Sequence, residues 1–286
     1  MKLTVGFSPC PNDTFIFHAM LHNLVDTEGL IFEPFIADVE ELNKRAFNRN
    51  LDITKLSYFA FAHLIEFYVL LNSGSALGNN CGPLLINKSG SISDLEEIKV
   101  AIPGCYTTAN FLLSLYKPEI KNKTEMIFSE IEDEVISEKV DAGLIIHENR
   151  FTYSKKGLQK IVDLGEWWEN EFKLPIPLGG IVVNRRINKN IQHKIDRVLK
   201  RSVQYAIKNP KMSKDFVKKY SQEMTDDVIN AHINLYVNNY TIHLGETGKN
   251  AVKFLIRKAI ERSLINKYRE DLFIEESSEF SVSLHT

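Results

Sequence analysis

The sequence contains few cysteines, and their positions suit neither a cross-link nor a structural metal site. Cys10, Cys81 and Cys105 are the three cysteines among 286 residues, and no C-x-x-C pattern occurs. An odd number of widely spaced cysteines argues against a disulfide framework and against structural zinc. We therefore expect reduced thiols and no metal site.

Long apolar runs are also missing. A membrane-spanning helix needs about 18 or more consecutive apolar residues, and no stretch approaches that length. A secretory signal would need about 7–15 apolar residues after a basic start, but Ser8, Pro9, Pro11, Asn12 and Asp13 interrupt the first apolar stretch. We expect a cytoplasmic protein that does not contact a membrane.

The sequence has neither an excess of basic charge nor the common nucleotide-binding motifs. It contains 35 Lys and Arg against 37 Asp and Glu, a formal net charge of −2. A nucleic-acid-binding protein needs clustered positive charge, so we expect no nucleic-acid partner. The motifs G-x-x-x-x-G-K-[ST], G-x-G-x-x-G and G-x-S-x-G are absent. Their absence argues against nucleotide hydrolysis, dinucleotide binding and serine hydrolase chemistry.

The first part of the chain alternates short β-rich runs with helical patterns. Leu3–Phe7, Leu30–Ile36 and Leu51–Leu56 are strand candidates, and the segments between them have helical spacing. This alternation predicts right-handed crossovers and a largely parallel sheet. The Gly- and Ser-rich run Ser73–Gly82 predicts a loop that ends this unit.

A second α/β unit follows, and then a helical tail. The unit spans about residues 88–178, and Ser93 with Glu96 predicts a capping box at its first helix. From Lys189 to Lys267 the pattern is helical, with breaks at Asn209-Pro210 and Ser221.

We predict an α/β protein with two lobes and a ligand cleft between them. Residues 1–85 and 182–286 would form a discontinuous lobe 1, with the C-terminal helices packed on it, and residues 86–181 an inserted lobe 2. A separate helical third domain is the alternative.

Two polar segments at predicted strand ends in lobe 1 are candidates for ligand binding, because ligands in open α/β sheets bind beyond the carboxyl ends of the strands. In the first, Asn12 and Asp13 follow a Pro-rich turn, and one of them is predicted to cap the next helix. In the second, Lys55, Leu56 and Ser57 end an apolar strand and supply an ammonium and a hydroxyl group. Helix capping and a solvated strand end are the structural alternatives.

Lobe 2 contributes two matching segments. Thr107, Thr108 and Ala109 follow a Pro-Gly turn, where a threonine can cap a helix and free N–H groups can bind an anion. His147 follows a buried strand and is a candidate general base, because histidine titrates near neutral pH. Glu148 is not assured as its partner, since adjacent strand residues face opposite sides. A purely structural histidine is the alternative.

The other histidines give weaker signals. His18 and His22 have the i, i+4 spacing of zinc ligands, but no third ligand is apparent. His63 lies among apolar residues and is expected to pack there. Surface or capping positions are expected for His193, His232, His243 and His285.

Seven ordered motifs between residue 3 and about residue 184 together resemble the 1,4-dihydroxy-6-naphthoate synthase family of menaquinone biosynthesis. These motifs are SPCPNDTF near the start, DVEELN at 38–43, DITKLS at 52–57, SGSALG at 73–78, GPLL at 82–85, PGCYTTA at 103–109 and LIIHENR at 144–150. The resemblance is weaker in the helical tail.

The resemblance implies a type II periplasmic-binding-protein fold without export, and a lyase that acts on a small anionic molecule. Such a lyase converts cyclic dehypoxanthinyl futalosine to 1,4-dihydroxy-6-naphthoate and dihydroxyacetone, with no redox cofactor or metal. The resemblance makes His147 the proton acceptor. It places Lys55–Ser57 and Thr108–Ala109 against the substrate, and it matches Asn12 and Asp13 to the family's N-terminal motif.

Two other functions remain open on the same fold. One is a non-catalytic cytoplasmic binding protein for a small aromatic carboxylate, and the other is a chorismate dehydratase. Fold alone does not decide between them. The sequence also leaves the oligomeric state open, with a homodimer as one option.

Overall fold

The computed structural model describes residues 1–91, 97–221, 225–266 and 268–275. The capping box predicted for Ser93 and Glu96 lies outside these residues. Within them, no helix is both long and apolar enough to cross a membrane.

Two β-sheets with helices packed around them make up the described chain. The strands are β1 (Lys2–Phe7), β2 (Ile31–Ile36), β3 (Ile53–Ser57), β4 (Tyr68–Leu70), β5 (Ala76–Gly78), β6 (Leu84–Asn87), β7 (Val100–Ile102), β8 (Lys123–Glu125), β9 (Ala142–Ile145), β10 (Gln159–Asp163) and β11 (Ile176–Asn184). The α-helices are α1 (Pro11–Leu21), α2 (Val39–Phe47), α3 (Tyr58–Leu64), α4 (Thr108–Tyr116), α5 (Ile131–Ile136), α6 (Leu164–Phe172), α7 (Lys189–Lys208), α8 (Lys214–Tyr220), α9 (Asp226–Tyr236), α10 (Asn239–Ile242) and α11 (Gly245–Glu261).

The first sheet has the strand order β2-β1-β3-β11-β4, and β5 also pairs with β11. Strand β1 runs parallel to β2 and β3, whereas β11 runs antiparallel to β3, β4 and β5. The five strands from the first part of the chain therefore run in one direction, as predicted, and β11 runs against them, which makes the sheet mixed. Strand β11 returns from the second sheet instead of following a βαβ crossover, so its direction is not fixed as parallel.

The second sheet has the order β10-β6-β9-β7-β8, with β7 parallel to β8 and β9, and β6 antiparallel to β9 and β10. The chain thus enters this sheet at β6 and rejoins the first sheet at β11. The predicted boundaries at 85/86 and 181/182 fall inside these two strands. We propose that the lobes divide just before β6 and just before β11.

Short strands account for most differences from the predicted elements. Strand β5 lies in the segment predicted as a loop, and β10 was not predicted. The sequence also predicts a strand over residues 125–129, whereas β8 spans Lys123–Glu125. The side chains of β8 and most of those of β10 are partly or fully exposed, so their sequences lack the apolar alternation by which a half-buried strand is found.

The helical tail packs on the first sheet, as predicted. Val198 and Leu199 of α7 share an apolar cluster with Val5 of β1 and Phe17 of α1. Helix α11 packs on the opposite face, where its buried residues join those of β3 and α3. The predicted breaks are confirmed, because α7 ends at Lys208 and α8 ends before Ser221.

Candidate active site

One cavity between the two sheets collects every residue that the sequence predicted for the site. Its walls include Asn12, Asp13, Lys55, Leu56, Ser57, Thr107, Thr108, Ala109 and His147. These residues lie at the start of α1, the end of β3, the start of α4 and just after β9. Apolar side chains such as Val39, Ile146 and Leu178 complete the lining, together with Tyr236 of α9. The structure therefore brings the predicted residues together, and their individual roles stay predictions.

Asp13 organises the first-sheet side of the cavity. Its Oδ1 accepts from Nζ of Lys55 at 2.7 Å, and its Oδ2 accepts from N and Oγ of Ser8 at 3.1 and 2.8 Å. The helix begins earlier than expected, at Pro11, and its N-cap residue Cys10 makes no side-chain cap. The prediction that Asn12 or Asp13 caps this helix is therefore wrong, because Pro is favoured at the first position and both residues fall within the first turn.

Thr107 and Thr108 use their hydroxyl groups to hold the start of α4. Oγ1 of Thr107 accepts from N of Asn110 at 3.2 Å and so caps the helix as predicted. Oγ1 of Thr108 donates to the carbonyl of Leu178 at 2.7 Å and thereby ties α4 to β11. The first N–H groups of a helix have no acceptor inside it, so those of Thr108 and Ala109 are suited to an anion.

Ser57 is fixed by a fully buried asparagine. Nδ2 of Asn43 donates to Oγ of Ser57 at 3.2 Å, and N of Ser57 donates to Oδ1 of Asn43 at 3.0 Å. The hydroxyl oxygen of Ser57 is thus an acceptor within the protein, which leaves its proton to point toward a ligand.

His147 combines an unusual backbone conformation with a shifted titration. It begins a 3₁₀ helix, His147–Phe151, and its φ of 58° lies in the left-handed region, which is uncommon outside glycine. Burial lowers the pKa of His147 to about 4, against an opposing effect of Asp13. Nε2 is buried and makes no hydrogen bond with the described residues. His147 is therefore a neutral imidazole at neutral pH and can accept a proton.

The prediction that His232 is a surface or capping residue is wrong. This α9 residue is fully buried, its Nε2 lies 2.9 Å from Oδ1 of Asn12, and its ring stacks 6.3 Å from that of His147. Val228, Ile229 and Tyr236 are buried on the same helix. Their spacing relative to His232 is that of one helix face, which is the sequence signal that could have indicated its burial.

Glu148 is buried beside the two imidazoles. Its Oε2 lies 3.8 Å from Nδ1 of His232. Sγ of Cys10, one ring nitrogen of His147 and one carboxylate oxygen of Glu148 all lie within 4.8 Å of one another. Residues His147–Phe151 form a 3₁₀ helix and not a continuation of the strand. The rule that adjacent strand residues face opposite sides of the sheet therefore does not apply to His147 and Glu148.

Cys10, His147 and Glu148 carry donor types that can hold a metal ion, but their chemistry does not favour one. A thiol binds a metal as the thiolate. Burial, and next the charge of Glu148, raise the pKa of Cys10 well above its usual value. We therefore do not assign a metal to this cluster.

The remaining histidines are accounted for by packing and capping. His63 packs against Phe59 and Tyr106, as predicted. The rings of His18 and His22 lie 4.4 Å apart, and no third donor completes a metal site with them in the described chain. Surface or capping positions were also expected for His243, His193 and His285. His243 accepts a hydrogen bond from N of Gly245, and His193 is partly exposed. His285 lies outside the described residues.

Comparison with solved structures confirms the predicted periplasmic-binding-protein-like fold. A crystal structure of a protein from Archaeoglobus fulgidus has a TM-score of 0.87 and 38% identity, covering 92% of this chain and 98% of that one. The ligand-binding component of an ABC-type import system from Staphylococcus aureus has a TM-score of 0.69 and 13% identity, covering 96% of each chain. The alkanesulfonate-binding protein of Xanthomonas axonopodis has a TM-score of 0.67 and 13% identity, covering 93% of this chain and 94% of that one.

Sequence comparison identifies the family. A protein from Thermus thermophilus named 1,4-dihydroxy-6-naphthoate synthase is 44% identical over 272 residues, which cover 95% of this chain and 99% of that protein. A protein of the same name from Streptomyces coelicolor is 38% identical over 268 residues, which cover 92% of this chain and 94% of that protein. The model of the menaquinone biosynthesis family matches residues 3–261. The chain therefore belongs to the menaquinone biosynthesis family.

Proposed function

We propose that this chain is a 1,4-dihydroxy-6-naphthoate synthase, a lyase that converts cyclic dehypoxanthinyl futalosine to 1,4-dihydroxy-6-naphthoate and dihydroxyacetone. The observation that carries the proposal is the half-buried, neutral imidazole of His147 in the wall of a cavity lined by all the other predicted site residues. The names of the Thermus and Streptomyces relatives support the same reaction.

His147 would begin the reaction by taking a proton from the bound substrate. Loss of that proton allows the sugar-derived ring to fragment, and aromatisation of the product then supplies much of the driving force. The carboxylate of Asp13 favours the imidazolium that forms. General-base catalysis of this kind contributes about 10²–10⁴ in rate, and positioning in the cavity supplies the rest.

The carboxylate of the substrate would be held by neutral donors. Ser57 has a hydroxyl proton to offer, and the first-turn N–H groups of Thr108 and Ala109 lie at the positive end of α4. The ammonium group of Lys55 is bonded to Asp13. It would therefore act on the substrate as a nearby positive charge, and Asp13 would be its direct partner.

The reaction balances without an external electron acceptor. One proton moves to His147, a carbon–carbon bond breaks, the departing three-carbon fragment takes up a proton to become dihydroxyacetone and the product ring becomes aromatic, so no oxidant or reductant enters. A redox cofactor is therefore not part of the proposal. The cytoplasmic location and the homodimer stay predictions, and light scattering of the purified protein measures the oligomeric state.

Incubation of the purified protein with three solutions tests the function. We expect cyclic dehypoxanthinyl futalosine to yield a naphthoate and dihydroxyacetone, both detected by mass spectrometry. Chorismate should remain unchanged, because its conversion would indicate a dehydratase instead. Saturable binding of an aromatic carboxylate without any turnover of the cyclic substrate would indicate a binding protein.

A further inference from the structure

A buried carboxylate connects the two sides of the cavity. Glu40 lies in the first turn of α2, which packs on the first sheet, and its side chain is buried. Its Oε1 accepts from N of Tyr106 at 3.0 Å, and its Oε2 accepts from Nδ2 of Asn43 at 3.0 Å. Tyr106 belongs to the loop of residues 103–107, which joins β7 of the second sheet to α4. Glu40 therefore bonds to both sides of the cavity, through a different oxygen on each side.

The loop of residues 103–107 has a glycine at the point where Glu40 contacts it. A Cβ built on Gly104 would lie 2.4 Å from both Cγ and Cδ of Glu40, so a side chain there would displace the carboxylate. The ring centres of Tyr106 and Phe47 are 4.5 Å apart, and Phe47 is the last residue of α2. The loop thus contacts α2 at both of its ends, and the bond to Glu40 is part of a packed interface.

Two bonds of opposite kind fix how the side-chain amide of Asn43 is turned. Burial raises the pKa of Glu40, but its bonds from Asn43 and Tyr106 favour the carboxylate, which has no hydrogen to donate. The amide nitrogen of Asn43 must therefore face Glu40. N of Ser57 can only donate, at 3.0 Å, so the amide oxygen must face that group. Both requirements give the same orientation, in which Nδ2 of Asn43 also donates to Oγ of Ser57 at 3.2 Å and the hydroxyl proton of Ser57 points elsewhere.

We propose that Glu40 is a positioning residue that directs the hydroxyl proton of Ser57 toward the ligand and holds it in place relative to the start of α4. A carboxylate suits this role because it offers an acceptor to a donor on each side of the cavity. Ser57 and the first-turn N–H groups of α4 would then bind one carboxylate group of the ligand together. The connection from Glu40 to Ser57 stands on the hydrogen bonds, and its consequence for turnover rests on the proposed function.

Two substitutions of Glu40 separate its two bonds. The amide in Glu40→Gln has a single acceptor, which N of Tyr106 should retain, because a backbone N–H cannot become an acceptor. Asn43 then faces an NH₂ group and can bond to it only by turning over, which takes its oxygen away from N of Ser57. In Glu40→Ala both bonds are lost. Glu41→Gln is the matched control, because Glu41 is the next residue of the same helix and is exposed.

Hydrogen exchange of backbone amides measures the connection without any ligand, because a protected amide exchanges only when its hydrogen bond opens. We expect exchange at Ser57 to accelerate by about tenfold or more in Glu40→Gln, while exchange at Tyr106 stays near its wild-type rate. Exchange should accelerate at both residues in Glu40→Ala and at neither in Glu41→Gln. Leu144 lies in the central strand of the second sheet and reports general loosening, so its rate should stay near wild type in all three variants.

Three results would overturn the proposal. The first is an unchanged rate at Ser57 in the folded Glu40 variants, and the second is an unchanged rate at Tyr106 in Glu40→Ala. The third is an acceleration at Leu144 equal to that at Ser57, which would make Glu40 merely structural. If Glu40→Ala does not fold, Glu40→Gln alone still tests the connection to Ser57.

Turnover then separates this inference from the proposed function. If the wild-type protein converts the cyclic substrate, kcat/KM should fall by about tenfold in Glu40→Gln. The same substitution should cause a much smaller fall in a Ser57→Ala background, as expected for residues that act through one network. An equal fall in both backgrounds would mean that Glu40 does not act through Ser57. A wild-type protein without turnover would remove the function, and the exchange rates would still decide the connection.

Discussion

Nζ of Lys55 lies 2.7 Å from Oδ1 of Asp13, and the two side chains are 7% and 1% exposed. This ion pair joins the middle of β3 to the first turn of α1, the helix that follows the neighbouring strand β1. A buried ion pair contributes little net stability, but removal of one partner leaves an uncompensated buried charge. The pair therefore fixes the shape of the cavity wall.

Breaking this pair should destabilise the protein strongly. We expect Lys55→Met to lower the free energy of unfolding by about 3–5 kcal/mol, because Asp13 would keep a buried charge without its partner. The double variant Lys55→Met/Asp13→Asn should recover much of that loss. Urea unfolding measures both values.

An exposed ion pair provides the matched control. Lys88 and Glu138 form a pair of similar length, 2.8 Å, whose side chains are 46% and 75% exposed. Lys88→Met should change stability by less than about 1 kcal/mol. A comparable loss in Lys55→Met and Lys88→Met would contradict the account of the buried pair.

The pH dependence of turnover should reflect the lowered pKa of His147. Catalysis needs the unprotonated ring, so activity is lost as the pH falls through the pKa of the folded protein. Since burial lowers that pKa to about 4, kcat/KM of the wild-type protein should stay nearly constant well below the ordinary histidine range and fall only near that value. An acidic limb near the usual value of about 6.5 would show that His147 is not the group that titrates.

Gly82 should tolerate no side chain, because two backbone segments touch there. A Cβ built on Gly82 would lie 2.1 Å from N of Gly165, and a backbone atom cannot move aside as a flexible side chain can. We expect Gly82→Ala to cost about 3 kcal/mol, at the upper end of overpacking effects.

Gly157 supplies the control for backbone strain alone. Its φ is 79° and a Cβ there would meet nothing within 4 Å. Gly157→Ala should therefore cost about 1 kcal/mol, the strain of the left-handed conformation. Equal losses in thermal unfolding of the two variants would mean that the close approach at Gly82 is not what matters.

The polar residues at the strand ends could be predicted from the sequence because their signal is local. His147 follows the apolar run 142–146, Lys55 lies in a short strand pattern that includes Ile53 and Leu56, and Thr107 follows a Pro-Gly turn. A chain that leaves a buried strand must turn where the strand ends, so polar groups collect beyond the carboxyl ends of neighbouring strands. The structure places all of these residues at one cavity.

The partners of these residues could not be predicted, because they depend on tertiary packing. Lys55 meets Asp13 across 42 positions, and His232 meets Asn12 across 220 positions. Strands β8 and β10 are also hard to predict, because most of their side chains are exposed and their sequences therefore lack a regular alternation of apolar and polar residues. Whether a polar residue is buried at the site therefore depends on contacts between residues that are far apart in the sequence.

Turnover by His147→Gln is the measurement that tests the central claim most directly. Gln keeps a polar group of similar reach but cannot accept the proton, so binding of the cyclic substrate, measured by calorimetry, should stay within a few-fold of wild type. Formation of the naphthoate, followed by mass spectrometry, should fall by about 10²–10⁴. A folded His147→Gln variant that binds the substrate and keeps more than about a tenth of the wild-type rate would contradict the account, because a general base at this position would then contribute too little.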